Sequence, residues 1–422
     1  MTSSIYYRLF IIIFIAISVP GCWNREKDNP FEPEGTFPIS LDVLGYDGYV
    51  EISWGDPPVT GYSEFNIFRS ETGTTGSFDL LTGEIPPSSR NYTDTHVANQ
   101  KKYFYYITVT GVDVESKPSK IVSAVPGPGF HWVVDNYDYL IARLTYDCTR
   151  ITRVYYTNYS PYQMIIGNDN IGLVLYTHLG LVESFSLENA EPIDQSTGIA
   201  HPYQACYDAN NQCGWVIDTS GVLYRVDFPL LQVTSVSADL GHPRRVSVNT
   251  GSGTIAVVDR ELRAVLMLNA NGTIISRIDR INNVPLSEPV GFIDDEESRR
   301  MWLVDRKAEG DIVYTRGYEE DDFNEIDSFT QVTDIEAIPA TGNVWILDYQ
   351  GINSAIVQLS ASGIRQITLS SIAYPLDIAV NRYGGTLLIA NSGKGEVLHY
   401  ALDNTLSGKY SNFYLPVNII SE

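Results

Sequence analysis

The sequence predicts an all-β chain, a β-sandwich followed by a seven-bladed β-propeller that its own C-terminal strand closes. Three observations carry this. A repeating unit starts at Pro161, Pro202, Pro243, Pro289, Pro375 and Pro416, with Val332 standing in for a missing proline, so the steps are 41, 41, 46, 43, 43 and 41 residues. A four-stranded antiparallel blade uses roughly 40–50 residues, and such blades close radially around a channel. Upstream, residues 37–126 alternate apolar and polar side chains in short runs broken by turn residues, as half-buried strands do. Finally, 28 Tyr in a chain that is 44% hydrophobic suit paired strands and a large core.

At the N-terminus Arg8 precedes an apolar run from Leu9 to Val19, followed by Pro20-Gly21-Cys22. A spanning helix needs about 20 apolar residues, so residues 1–21 are expected to be a secretory signal peptide. A small residue directly before a Cys at this place resembles the bacterial lipobox, although Val19 stands where Leu is usual. The resemblance implies that Cys22 is acylated and becomes the mature N-terminus; the alternative is ordinary cleavage that leaves Cys22 a spare thiol. Residues 22–36 are polar, carry Pro30 and Pro33, and are expected to form an extended tether. Several acyl chains hold a protein to a bilayer durably. The implied location is the cell envelope, lipid-anchored at the outer membrane or cell surface rather than the inner membrane.

In residues 37–126, Val50-Glu51-Ile52-Ser53-Trp54, Phe65-Asn66-Ile67-Phe68-Arg69, Tyr92-Thr93-Asp94-Thr95, Tyr103 to Val109 and Ser116-Lys117-Pro118-Ser119 resemble a fibronectin type III domain. Period-two alternation puts Tyr103, Tyr105, Ile107 and Val109 on a core face with Trp54, and Phe104, Tyr106 and Thr108 on the other. No Arg-Gly-Asp is present. The expected role is a compact spacer.

In the repeats, the residue three places after each start is apolar (Met164, Ala205, Val246, Phe292, Ile335, Ile378, Ile419), and sixteen places after come Thr177, Asp218, Asp259, Asp305, Asp348 and Asn391. The segment His131-Trp132-Val133-Val134-Asp135 matches the second strand of the other units but lacks a Pro-led strand before it. Pro416 to Ser421 supplies that strand in the seven-bladed reading, and a closed ring leaves no open sheet edge. The alternative is six blades and a stray hairpin. This order of residues resembles NHL and related propellers over residues 130–422. The resemblance implies a fold whose members range from protein-binding rings to lyases and lactone hydrolases, so fold does not choose function.

With 28 basic against 51 acidic residues the net charge is −23, a field that repels phosphate backbones and excludes nucleic acid as a partner. The residues just before each repeat start are Ser160, His201, His242, Glu288, Gln331, Tyr374 and Leu415. They are expected to ring the channel mouth. His201, His242, Glu288 and Tyr374 are the candidate ligand-binding residues there; the first three are also the candidate catalytic set, since His with a carboxylate holds a divalent cation or works as an acid–base pair. The plainer reading is that these positions are only extended and bond neighbouring blades. Asp135, Asp218, Asp259, Asp305 and Asp348 form a second ring, expected to cap turns through backbone N–H groups. Trp132, Trp215, Trp302 and Trp345 share one repeat position and are expected to pack between blades. Cys206 and Cys213 flank a turn symmetrically, consistent either with a cross-strand disulfide or with two buried thiols. The function expected is a non-catalytic binding or scaffolding module for a protein or glycan partner; the alternative is a lyase- or lactonase-type enzyme with a metal-assisted site at the channel mouth.

Overall fold

The computed structural model describes residues 36–421 apart from 112, 113, 169, 238 and 239. The signal segment, Cys22 and all but the last residue of the tether lie outside the described residues. Among the described residues no helix is long and apolar enough to cross a membrane. Contacts group the chain into two units, one containing residues 52–92 and 103–123, the other residues 44–51, 93–102 and 124 onward.

The first part of the chain folds into two sheets, one of Leu41–Tyr46, Tyr49–Trp54 and Asn91–Asp94, the other built around Glu64–Ser70 and Tyr103–Gly111. Tyr103, Tyr105, Ile107 and Val109 are buried, as is Trp54, whose ring lies 5.3 Å from that of Phe65. Thr108 departs from the alternation, being 97% shielded although it faces the other way. Glu115 covers it and accepts its hydroxyl at 2.5 Å.

The second part contains seven four-stranded antiparallel sheets. Six begin with the strands Gln163–Ile166, Pro202–Asp208, Pro243–Asn249, Pro289–Asp295, Val332–Ala337 and Pro375–Val380. The remaining sheet joins the two ends of this region, because Pro416–Ser421 pairs with His131–Asp135 in the register Pro416↔Asp135, Ile419↔Val133 and Ser421↔His131. Each first strand contacts the first strand of the next sheet, and Pro416–Ser421 contacts both Pro375–Val380 and Gln163–Ile166, so the sheets form a closed cycle. Every one of the seven sheets thus has its innermost strand.

Packing between sheets follows the repeat. All seven apolar residues three places after each start are at most 4% exposed. The four tryptophans are buried, each in a cluster shared with the next sheet: Trp132 with Met164 and Val174, Trp215 with Val246 and Val257, Trp302 with Ile335 and Ile346, Trp345 with Ile378 and Ile389. Large flat side chains fill the wedge between radially arranged sheets. His131 and His399 are also buried, their rings 5.7 Å apart, and burial lowers them to about 3 and about 4, so both are neutral at neutral pH.

The sequence leaves Cys206 and Cys213 open to a cross-strand disulfide or two buried thiols, and the two do not lie opposite each other in the strand register. The strand register sets Cys206 opposite Trp215 and Cys213 opposite Asp208, and both thiols are free. Asp208 fixes the turn by accepting from the N–H groups of Asn210 and Asn211 and from the Trp215 indole, which moves the hairpin axis one residue beyond the symmetric position. Burial pushes the Cys213 thiol up to about 12.

Candidate ligand-binding site in the channel

One cavity of about 480 Å³ opens where the first strands converge. Its walls are two tiers read directly from the repeat. The residue one place after each start contributes Tyr162, Tyr203, Arg244, Val290, Thr333, Leu376 and Val417, all lining the cavity. The residue two places after contributes Gln163, Gln204, Arg245, Asp334, Asp377 and Asn418; Gly291, at the seventh such position, is not among its lining residues. The first tier is divided chemically. Tyr162, Tyr203 and Arg244 come from three successive sheets, and the other four positions are aliphatic or Thr.

The second tier latches the ring. Gln163 Oε1 accepts from the Ala205 N–H at 2.8 Å, Asp334 Oδ2 from Ile378 at 3.1 Å, Asp377 Oδ2 from Ile419 at 2.8 Å and Asn418 Oδ1 from Met164 at 3.0 Å. Gln204 does the same for the Val246 N–H. In each case a side chain of one sheet caps the innermost strand of the next. The pattern breaks at Arg245 and Gly291, which offer no side-chain acceptor. Arg245 instead spans two sheets, its Nη1 lying 2.8 Å from Asp334 Oδ1, and it also donates to the Thr333 carbonyl. The Ile335 N–H, which a residue at 291 would have capped, is taken by Asp334 Oδ1 at 2.9 Å.

The mouth is built from a third repeat position. Arg260 and Arg306 follow Asp259 and Asp305 directly, and Glu288 sits between them, 2.8 Å from Arg260 Nε and 3.9 Å from Arg306 Nη1. Arg306 also forks onto Asp311 through bonds of 2.9 and 2.8 Å, the two-point geometry that makes guanidinium–carboxylate pairs specific.

Two further acids, Asp377 in the cavity wall and Glu336, interact with the charge of Asp334. Burial first, and then the charge of Asp334, pushes the Asp377 carboxyl well above the usual carboxylate range. The same two causes, opposed by Arg245 and Arg382, raise Glu336 to about 8. A carboxyl whose folded pKa exceeds its unfolded value stabilises the fold below the unfolded pKa and loses that contribution as pH rises through the folded one. Wild-type stability is therefore expected to fall between pH 6.5 and 8 by at most about 1.4 kcal/mol per pH unit from this group. Glu336→Gln is expected to flatten that slope in urea titrations across the window; an unchanged slope would remove Glu336 as its source.

No family model matches the chain and no curated protein matches it. Solved structures do. A protein of unknown function from Desulfotomaculum acetoxidans superposes with a TM-score of 0.54 at 11% identity, covering 69% of this chain and 98% of its own. The periplasmic gluconolactonase of Pseudomonas aeruginosa gives 0.53 at 13%, covering 69% and 98%. A Lactobacillus plantarum protein gives 0.52 at 11%, covering 85% and 99%. The fold is a β-propeller. At such identities the likeness extends to the fold alone.

Within this propeller, the residues expected at the mouth are placed unevenly. Glu288 and Gln331 line the cavity; His201, His242 and Tyr374 are not among its lining residues. His201 and Tyr374 are exposed. Glu288 meets two arginines rather than the two histidines. Among the described residues no three His, Cys, Asp or Glu side chains stand together as a metal-binding group. The aspartates of the second ring hold the strand entries. Asp259 accepts from the N–H groups of Gly241 and His242, Asp305 from Ser287 and Glu288, Asp348 from Thr330 and Gln331, and Asp135 from Tyr414 and Leu415. Asp218 differs, taking Ser220 and Val222 within its own turn. Several of the residues before a start thus have their backbone N–H committed, and although Glu288 and Gln331 reach the cavity, its first complete tier lies two residues further on. That offset was available as a repeat position, but no periodicity says which of several adjacent positions faces a channel.

Proposed function

We propose that this chain is a cell-envelope lipoprotein, anchored through Cys22, in which a fibronectin type III-like spacer carries a seven-bladed propeller that binds a protein or glycan partner without catalysis. The observation that supports binding over chemistry is how the channel spends its carboxyl groups. Glu288 is clamped by Arg260 and Arg306, Asp334 is paired with Arg245, and Asp377 accepts from Asn418 Nδ2 and the Ile419 N–H, both at 2.8 Å. A general base needs a lone pair within reach of a substrate proton. Here those lone pairs already hold the ring and its rim together. What is left facing the cavity is a set of tyrosines, amides and one guanidinium, the groups of a recognition surface.

The competing reading, a lyase- or lactonase-type enzyme working through His201, His242 and Glu288 with a divalent cation, makes a different demand. Under the binding reading, envelope glycan or partner-protein binding by the full chain is expected to survive the double substitution His201→Ala and His242→Ala. Lactone or ester turnover by the wild type that disappears in that variant, together with stoichiometric metal lost from it, would install the enzymatic reading instead.

A further inference from the structure

We propose that the sector formed by Tyr162, Tyr203 and Arg244 is a subsite for the carboxylate-bearing sugar of an acidic saccharide. The inference rests on the binding reading above and names its ligand class. Its first support is the state of Arg244. The three other arginines of the cavity are each tied to a carboxylate: Arg245 to Asp334, Arg260 to Glu288 and Arg306 to Asp311, all at 2.8 Å. Among the described residues Arg244 has no carboxylate partner. It is held by Tyr203 alone, with Nη1 3.4 Å from the phenol oxygen and the guanidinium carbon 5.6 Å from the ring centroid. An aromatic face orients a guanidinium while leaving its N–H fork free for a planar anion.

The second support is charge. The chain carries −23, yet this cavity holds four guanidinium groups, set against Glu288, Asp334 and Asp377 in its wall and Asp311 bonded to Arg306. Asp377 is held toward its neutral form by burial and by Asp334. Arg244 is therefore the cavity guanidinium whose charge no carboxylate offsets, and a low-dielectric concave wall strengthens its local field. The ligand that gains from it is an anion.

The third support is shape. The Tyr162 and Tyr203 rings lie 5.8 Å apart at 33°, one residue from the amides of Gln163 and Gln204. Phenol rings present an apolar face with a polar rim, which suits a pyranose whose C–H face stacks while its hydroxyls bond outward. Burial and the neighbouring Tyr203 push the Tyr162 phenol up, so it stays protonated and remains a donor. A cavity of about 480 Å³ is within the range that small ligands fill. A peptide carboxylate would use Arg244 but has less need of two phenols beside it.

The test is calorimetric titration of the full-length protein with digalacturonate, with neutral galactobiose and with an acidic tripeptide, in wild type, Arg244→Gln and Arg244→Lys. Digalacturonate is expected to bind the wild type more tightly than galactobiose does. Arg244→Gln is expected to weaken digalacturonate on the order of tenfold or more while leaving galactobiose unchanged, and Arg244→Lys to restore only part, because an ammonium lacks the fork. Thermal unfolding of each variant, expected at the wild-type temperature, separates lost binding from lost folding. Equal affinity for both sugars, or digalacturonate binding indifferent to Arg244, overturns the subsite while the binding reading stands. Arg244-dependent capture of the tripeptide alone overturns the saccharide assignment. Failure of all three probes to bind refutes the inference and weakens the binding reading with it.

Discussion

A chain ended at Leu415 is expected to give no stable folded monomer. The deletion removes the strand Pro416–Ser421, and with it the whole innermost edge of the sheet headed by His131–Asp135. Ile419 is 3% exposed, and full burial of such a side chain is worth about 1.5–3 kcal/mol. The polar losses are larger in number. Asn418 no longer caps the Met164 N–H, and Asp377 loses both donors that satisfy its Oδ2. Each buried polar group left without a partner costs about 1–3 kcal/mol, against a total stability of about 5–15 kcal/mol for a typical domain. The ring opens as well, and an open innermost strand is a template for pairing with another chain. Size-exclusion chromatography is expected to show aggregate, and a synthetic peptide spanning 416–422, added during refolding, to recover monomer. A truncated chain that elutes as monomer and melts at the wild-type temperature would show that the cycle of sheets does not depend on this strand.

Asp334→Ala is expected to cost about 3–5 kcal/mol, the range for breaking a shielded ion pair by removing one partner. The carboxylate is 5% exposed and serves Arg245, its own Ile335 N–H and the Ile378 N–H of the next sheet. Its removal leaves the Arg245 guanidinium in the channel without an opposite charge and uncaps two innermost strands. Arg245→Met is expected to cost less, because Asp334 retains two backbone donors. Combining the two substitutions is expected to cost clearly less than their sum, since neither charge is then stranded. Urea unfolding of the four proteins measures this. Strict additivity, or an Asp334→Ala cost inside about 0.5 kcal/mol, would mean that the break in the latch pattern at Arg245 and Gly291 has no energetic weight.

Much of this architecture was legible in the chain because a propeller repeats one local solution. A proline starting a strand, a buried apolar residue three places on and an aspartate sixteen places on are each set by short-range geometry, so spacing alone located the first strands and the tryptophans between sheets. The strand from Pro416 was legible for a related reason: His131–Asp135 plainly lacked the partner that every other unit possesses. The cysteine pair shows where this fails. Symmetry about a turn suggested Cys206 opposite Cys213, but Asp208 capped the turn differently and the register followed the cap.

The channel itself was not legible. Prolines mark where the first strands begin, yet whether the residue before, one after or two after the start faces the axis depends on how the strands tilt and how closely seven of them converge. The sequence by itself determined the repeat, the closure of the ring and the acidic surface, because these depend on composition and on neighbours along the chain. Only the tertiary structure decided that His201 and His242 stand apart from the cavity, that Glu288 belongs to two arginines, and that Arg244 faces the channel without a counter-charge. Such pairings join residues from different sheets, and no local spacing encodes a distance that closing the ring alone creates.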